Sequence, residues 1–125
     1  MRKRLLCALA FLACGAASGQ QYPNRPLHYI VPYPPGAFND ALARTIAADL
    51  PKAIGQPVLV ENRPGGNTII GTDMAAKSPP DGYTIAMGQT ANLAVNPALY
   101  SSLPFDPLKD FAPIEIGRAS CRERV

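Results

Sequence analysis

Short apolar runs along the chain alternate with longer stretches that have helical spacing. The run at 27–31 contains β-branched residues and lies between two prolines, which predicts a buried strand. Similar runs at 58–60 and 83–87 predict a second and a third strand. Residues 112–114 have the character of the first residues of a fourth strand. The chain is therefore predicted to contain several short strands separated by helices.

The segment after the first run has the spacing of an amphipathic helix. Leu42, Ile46 and Leu50 recur every four residues, with Ala43 and Ala47 beside them, which predicts one apolar stripe that faces a sheet. Either Asn39 or Asp40 can cap this helix, because a side-chain oxygen at that position accepts hydrogen bonds from unpaired N–H groups of the first turn. The helix is expected to begin directly after a proline-rich loop.

Proline and glycine mark the other boundaries of the predicted elements. Pro51 is expected to kink or end the first helix, with Gly55 as its terminator. A second helix is predicted over about 67–77, and a short helical turn at 96–100. Strands that alternate with helices indicate an α/β fold, in which a parallel sheet carries flanking helices on its faces.

Ligands of such folds bind outside the carboxyl ends of the strands, where three predicted loops meet. The loop Tyr33–Asn39 leads into a helix N-terminus, which suits a carboxylate or a phosphate, although a plain capped turn has the same pattern. In the loop Arg63–Gly66, the arginine could pair with a ligand carboxylate or, more simply, be a solvated surface charge or a partner of Glu61. The loop Gly88–Asn92 offers amide and hydroxyl donors for a small polar ligand, or is an ordinary polar loop.

The excess of positive charge lies at the two ends of the chain. Twelve Lys and Arg against nine Asp and Glu make a net charge of +3, but residues 20–115 hold six basic and eight acidic residues. This central part is slightly acidic, which argues against a nucleic-acid partner. The basic residues at 2–4, the apolar stretch after them and the small residues up to Gly19 predict a signal peptide over 1–19 and a periplasmic protein. Lipoprotein processing at Cys14 is the alternative.

The last ten residues, 116–125, correspond at every position to the translation of a common sequencing adapter, so we expect this tail to be non-native. The natural chain would then continue beyond Glu115, and residues 20–115 would be part of a larger domain. All three cysteines lie in the two ends. We therefore expect no disulfide, no thiol nucleophile and no cysteine-ligated metal in the central part.

Reaction chemistry is hard to find in the sequence. His28, the only histidine, lies in a predicted strand, where a core or face histidine is expected rather than a general base. Neither the G-x-G-x-x-G nor the G-x-x-x-x-G-K-[ST] motif occurs, and no spacing suggests a metal site. We expect a protein that is not an enzyme and needs no cofactor. The enzyme alternative is a small hydrolase or isomerase that uses Asp40 and Asn39, but it lacks an evident activated nucleophile.

Several motifs together resemble the start of the mature periplasmic solute-binding receptors of tripartite tricarboxylate transporters, the Bug family. The match runs from about Tyr22 to Ile114. Its motifs include Tyr22-Pro23, Ile30-Val31-Pro32-Tyr33-Pro34-Pro35-Gly36, Glu61-Asn62-Arg63-Pro64-Gly65, Pro80-Asp81-Gly82-Tyr83-Thr84, Asn96-Pro97-Ala98-Leu99-Tyr100 and Leu103-Pro104-Phe105-Asp106-Pro107. The chain departs from the usual pattern at Ala37, where a second glycine is typical, and at Asn39, where threonine is frequent.

The resemblance implies a two-lobed Venus-flytrap protein, of which 20–115 would be an incomplete first lobe. Such a receptor encloses a small carboxylated or amino-acid-like solute and delivers it to membrane permease subunits; we expect a monomer. An exported sensor subunit for a signalling partner is the alternative. The resemblance also implies that the first loop holds a ligand carboxylate, partly through waters. The expected ligand-binding residues are Gly36, Ala37, Phe38, Asn39, Asp40, Gln89, Thr90 and Asn92.

Overall fold

The structure is a computed structural model that describes residues 22–114. The predicted signal peptide and the predicted non-native tail lie outside these residues. The elements in chain order are β1 (Leu27–Val31), α1 (Phe38–Ile54), β2 (Val58–Asn62), α2 (Ile69–Ala76), β3 (Thr84–Ala86), a π-helix (Ala91–Val95) and α3 (Asn96–Leu99). None of the helices in this range is long and apolar enough to cross a membrane.

The three strands form one parallel sheet in the order β2-β1-β3. In this register Tyr29 of β1 lies between Val60 of β2 and Ile85 of β3. The predicted parallel α/β arrangement is thereby confirmed. Because all strands run in the same direction, the three loops that follow them leave the sheet at one edge, as the sequence predicts.

The core lies between the central strand and α1. Tyr29 and Val31 pack with Ala43 and Met87 in one buried cluster, and apolar side chains of the outer strands surround it. The chain steps from β1 to β2 in one direction and from β2 to β3 in the other. Right-handed crossovers therefore place α1 and α2 on opposite faces of the sheet.

The buried face of α1 agrees with the predicted stripe only in part. Leu42 and Ile46 are exposed, with 43% and 38% of their surface accessible, whereas Ala43 is fully buried. The face toward the sheet runs through Asp40, Ala43 and the partly buried Leu50. The prediction was therefore wrong for Leu42 and Ile46. The small side chain of Ala43 lets the helix backbone approach the sheet closely, and this turns the two larger residues aside.

Helix α1 continues through Pro51 to Ile54, so the expectation that it could end at the proline was wrong. Pro51 lies in the last turn, where its missing N–H removes only one helical hydrogen bond. The predicted terminator is confirmed: Gly55 has a φ of 72° and donates its N–H to the carbonyl of Pro51 at 2.8 Å.

Three further boundaries differ from the prediction. Helix α2 begins at Ile69 instead of about 67, because Asn67 and Thr68 have left-handed backbone conformations with φ of 52° and 72°. Part of the predicted third loop is helical, since the π-helix begins at Ala91. Within the described part of the chain, residues 112–114 form no strand. Strand β2 is longer than predicted and β3 is shorter.

Candidate functional site

The loop after β1 turns directly into α1. Gly36 has a φ of 82°, a conformation that favours glycine. Ala37 is the N-cap residue, with an extended backbone at φ −70° and ψ 160° that any residue adopts, so the departure from glycine causes no strain there. The N–H of Ala41 bonds to the carbonyl of Ala37 at 3.1 Å. Neither Asn39 nor Asp40 is therefore the N-cap, and that prediction was wrong.

The first turn of α1 presents open hydrogen-bond donors. Within residues 22–114, no acceptor bonds the backbone N–H groups of Phe38, Asn39 and Asp40. The first N–H groups of a helix have no partner inside it, and the helix dipole adds partial positive charge there. Phe38 itself is 80% exposed beside these donors. The N–H groups at the N-terminus of α1 can accordingly donate hydrogen bonds to an anionic oxygen of a ligand.

Asp40 is buried, with 4% of its surface accessible, and stabilises the loop from within. Its carboxylate accepts hydrogen bonds from the N–H of Gly36 at 2.9 Å, from Nε of Arg44 at 3.0 Å and from Nδ2 of Asn62 at 2.9 Å. The bond from Arg44, followed by those from Gly36 and Asn62, lowers the pKa of Asp40 to about 2. The charged side chain is thus an anchor for the loop.

Two residues that bond to Asp40 were not among the predicted site residues. Asn62 is the last residue of β2 and also donates to the carbonyl of Tyr33 at 3.1 Å, and Arg44 donates to Oδ1 of Asn62 at 3.1 Å. The end of β2 is thereby fastened to the loop after β1. Two sequence signals could have indicated them: an asparagine at the carboxyl end of a strand, and an arginine four residues after Asp40 on one helix.

The first and third loops meet through two amide side chains. Nδ2 of Asn39 donates to Oε1 of Gln89 at 3.2 Å, and Nε2 of Gln89 donates back to Oδ1 of Asn39. Both residues are partly buried. Thr90, next along the chain, is exposed and makes no side-chain capping bond to the π-helix. The structure therefore brings Asn39 and Gln89, two predicted site residues of separate loops, into contact.

Asn92 is a predicted site residue that lies inside the protein. Only 2% of its surface is accessible, and it belongs to the π-helix rather than to a loop. Its Oδ1 accepts the N–H of Gln89 at 2.7 Å, and its Nδ2 donates to Oγ1 of Thr72 and to the carbonyl of Met87, both at 3.1 Å. These bonds hold Gln89 in position and connect the third loop to α2.

The charged residues of β1, β2 and the second loop pair with one another. Nη2 of Arg63 lies 3.1 Å from Oε2 of Glu61, and Nδ1 of His28 lies 2.5 Å from Oε1 of the same carboxylate. Hydrogen bonds from His28 and then from Arg63 lower the pKa of Glu61. The interpretation of Arg63 as a partner of Glu61, and of His28 as a face histidine, is confirmed. Residues 22–114 contain no cluster of three His, Cys, Asp or Glu side chains suited to a metal ion.

Comparisons with known proteins agree on one family. Residues 42–121 match the family described as Tripartite tricarboxylate transporter family receptor. BugT of Bordetella pertussis is 45% identical over 100 residues, which cover 79% of this chain and 31% of BugT. The structure of the periplasmic binding protein BugD superposes with a TM-score of 0.71 at 35% identity and covers 74% of this chain and 31% of BugD.

A third similar protein has a ligand in its solved structure. MatC from Rhodopseudomonas palustris with bound malate superposes with a TM-score of 0.71 at 33% identity, covering 74% of this chain and 32% of MatC. The chain spans about a third of the length of the relatives that it matches. Its parallel sheet with flanking helices is an incomplete first lobe of a periplasmic-binding-protein fold. The chain belongs to the receptors of the tripartite tricarboxylate transporter family.

Proposed function

We propose that the complete receptor captures a small carboxylated solute outside the cytoplasm and delivers it to the membrane permease of a tripartite tricarboxylate transporter. The observation that carries this proposal is the open N-terminus of α1 at the carboxyl edge of a parallel sheet. Membership in a family of transporter receptors supports it. The malate bound to MatC, a relative with the same fold, indicates the ligand chemistry.

A carboxylate of the ligand would accept hydrogen bonds from the free N–H groups of Phe38 and Asn39. The loop leaves room for it, since no heavy atom lies within 4 Å of the position that a Cβ on Gly36 would occupy. Residues 20–115 carry more acidic than basic residues. Capture of an anion on this lobe would therefore depend on local backbone donors and the helix dipole, without an excess of positive side chains.

The eight proposed site residues divide by burial into two groups. Six have accessible surface at the edge of the sheet and would face the ligand, directly or through water: Gly36, Ala37, Phe38, Asn39, Gln89 and Thr90. Asp40 and Asn92 are buried and already bonded to several groups of the protein. We assign these two residues to holding the loops in position.

A binding protein fits the site better than an enzyme does. Asp40, the acid that the enzyme alternative requires, has a pKa of about 2 and is bonded to Arg44, Gly36 and Asn62. A general base works best when its pKa lies near the operating pH, and Asp40 lies far below it. Turnover of a bound acid that disappears in Asp40→Asn would contradict this assignment.

The remaining parts of the proposal concern location and partners. We place the receptor in the periplasm as a monomer, with a permease pair as its membrane partner, because the family is one of transporter receptors. An amino-acid-like acid remains within the proposed ligand class. A sensor subunit for a signalling partner is the second candidate, and permease genes beside the receptor gene would favour transport over sensing.

The proposal is tested by thermal-shift measurements on the complete receptor with a panel of di- and tricarboxylates and acidic amino acids. We expect at least one acid to raise the unfolding temperature in a concentration-dependent way. A folded receptor that responds to none of them would contradict the proposal.

A substitution at the N-cap tests the helix terminus itself. In Ala37→Asp, the new carboxylate would accept N–H groups of the first turn, which stabilises the free protein by about 0.5–2 kcal/mol but removes the donors from the ligand. Ala48→Asp adds the same charge at an exposed position in the middle of α1 and serves as the control. Equal ligand affinity in both variants would show that the N-terminus of α1 does not hold the ligand.

A further inference from the structure

We propose that the amide pair Asn39–Gln89 determines ligand specificity by favouring carboxylates that carry a hydroxyl group. This inference rests on the proposed carboxylate-binding function and names the kind of acid that the site selects. Its basis is the reciprocal bonding of the two side chains and their place beside the open N-terminus of α1.

The pair connects the first loop to the third. Asn39 is the second residue of α1, and Gln89 follows β3, fifty positions later. Each amide donates one hydrogen bond to the oxygen of the other, so the two side chains close a ring of two bonds. The ring lies next to the Asn39 N–H, which is one of the backbone donors proposed to bind the ligand carboxylate.

The ring leaves part of each amide unused. A primary amide has two N–H donors and an oxygen with two lone pairs, and the reciprocal bonding uses one donor and one lone pair on each side. Within residues 22–114, the side chains of Asn39 and Gln89 have no other hydrogen-bond partner. The pair therefore retains donors and acceptors together, and it carries no net charge.

Buried groups keep this pair in place. The N–H of Gln89 bonds to Oδ1 of Asn92 at 2.7 Å, and Asn92 is tied to Thr72 and Met87 inside the protein. Asn39 is fixed by its position in the first turn of a long helix. Because these contacts fix the two amides, their side chains cannot rotate toward water when a ligand covers them. A site with fixed polar groups discriminates strongly between ligands that can and cannot bond to those groups.

A hydroxyl group matches the unused donors and acceptors of the pair because it both donates and accepts hydrogen bonds. A methylene group in the same position would leave half-buried donors and acceptors unpaired when the ligand excludes water, which weakens binding. A second carboxylate of the ligand could accept hydrogen bonds from the pair, but the pair has no positive charge to balance it. A hydroxyl near the captured carboxylate is therefore the group that the pair accommodates best.

The test uses pairs of acids that differ by one hydroxyl at equal charge and chain length. Isothermal titration of the complete receptor with malate against succinate, and with citrate against tricarballylate, measures the contribution of the hydroxyl. We expect at least one hydroxy acid to bind about tenfold more tightly than its deoxy partner, the order of magnitude of one satisfied polar contact.

Gln89→Met removes the amide from the pair at similar size. We expect the ratio of the affinities for the hydroxy acid and its deoxy partner to fall about tenfold in this variant, a change in preference that loss of folding would not produce. Asn39→Ala, which removes the other half of the pair, is expected to lower the preference in the same direction. Gln56→Met is the matched control, since Gln56 lies in the turn between α1 and β2 at the opposite edge of the sheet.

The outcomes separate this inference from the proposed function. If the receptor binds acids but shows no hydroxyl preference, or if the preference persists in Gln89→Met and Asn39→Ala, the role of the amide pair is overturned while carboxylate capture stands. If no acid of the panel binds to the folded receptor, the proposed function fails, and this inference fails with it.

Discussion

The junctions β1–α1 and β2–α2 lie at the same edge of the sheet and use their helix N-termini in opposite ways. At the first, the N–H groups of Phe38 and Asn39 have no acceptor within residues 22–114. At the second, the N–H of Ile69 bonds to the carbonyl of Gly66 at 3.1 Å, and the N–H of Ile70 points to Gly65 at 3.5 Å. The loop before α2 supplies the acceptors for its own helix.

A buried asparagine also holds the second junction in place. Asn96 is fully buried, donates to the carbonyl of Asn67 at 2.7 Å and accepts from the Asn67 side chain at the same distance. These bonds hold the left-handed conformations of Asn67 and Thr68, which are costly for residues other than glycine. A strand followed by a glycine-containing loop and a helix is thus insufficient to predict an anion site. The donors must also remain unused.

The largest effect is expected from glycine substitutions that compare the two junctions. A Cβ on Gly71 of α2 would lie 2.5 Å from the carbonyl oxygen of Arg63 and 2.9 Å from Cβ of Pro32, so the helix would have to move. We expect Gly71→Ala to lower the free energy of unfolding by about 2–3 kcal/mol. Gly36→Ala meets no atom within 4 Å and should cost about 1–2 kcal/mol through its φ alone.

Chemical denaturation of the complete receptor measures both effects. Equal costs for the two glycine substitutions would mean that the second junction is no more tightly packed than the first. Ligand titration of the same variants adds a second comparison, because only Gly36→Ala changes the loop that is proposed to bind the ligand.

The next effect concerns the buried amide of the second junction. Asn96→Leu keeps the approximate volume of the side chain but leaves the Asn67 carbonyl and Thr68 hydroxyl without its hydrogen bonds. We expect the free energy of unfolding to fall by about 2 kcal/mol, with little change in ligand affinity. A large loss of affinity in the folded variant would contradict the division between a packed junction and a binding junction.

The first junction should show its own dependence on pH. The pKa of Asp40 is lowered from 3.8 to about 2 in the folded protein, so its bonds add stability that is fully present above about pH 4. This stability is lost as the pH falls from about 4 toward 2. We expect Asp40→Asn to unfold at a lower temperature than the wild type at pH 6, with a gap that narrows on acidification. A constant gap between pH 6 and pH 2 would contradict the proposed ionisation.

The smallest effect is expected at Arg63, in the second loop. Half of its side chain is exposed, and its partner Glu61 also bonds to His28. Exposed ion pairs contribute little, so Arg63→Gln should change the free energy of unfolding by less than about 1 kcal/mol. Ligand affinity should be unchanged in calorimetric titration. A strong loss of affinity would restore Arg63 as a partner of the ligand carboxylate and place the second loop in the site.

Much of the fold was predictable because its signals are local. The apolar run of β1 and the glycine that ends α1 depend on hydrophobic burial and on a left-handed cap, and both were identified correctly. The buried face of α1 was identified only in part, because the burial of Leu42 and Ile46 beside Ala43 depends on how closely the helix approaches the sheet. The late start of α2 likewise depends on Asn96, which lies 29 positions after Asn67.

The candidate site was also predictable in part, because its position follows from the order of strands and helices. The sequence alone determined the alternation of strands and helices, and with it the edge of the sheet where the loops after β1 and β3 meet. Only the tertiary structure decided that Asp40 binds Asn62 inside the protein, that Asn92 is buried, and that Asn39 and Gln89 bond to each other. The physical reason is that a polar side chain takes its role from its partners, and these partners lie 22, 5 and 50 positions away along the chain.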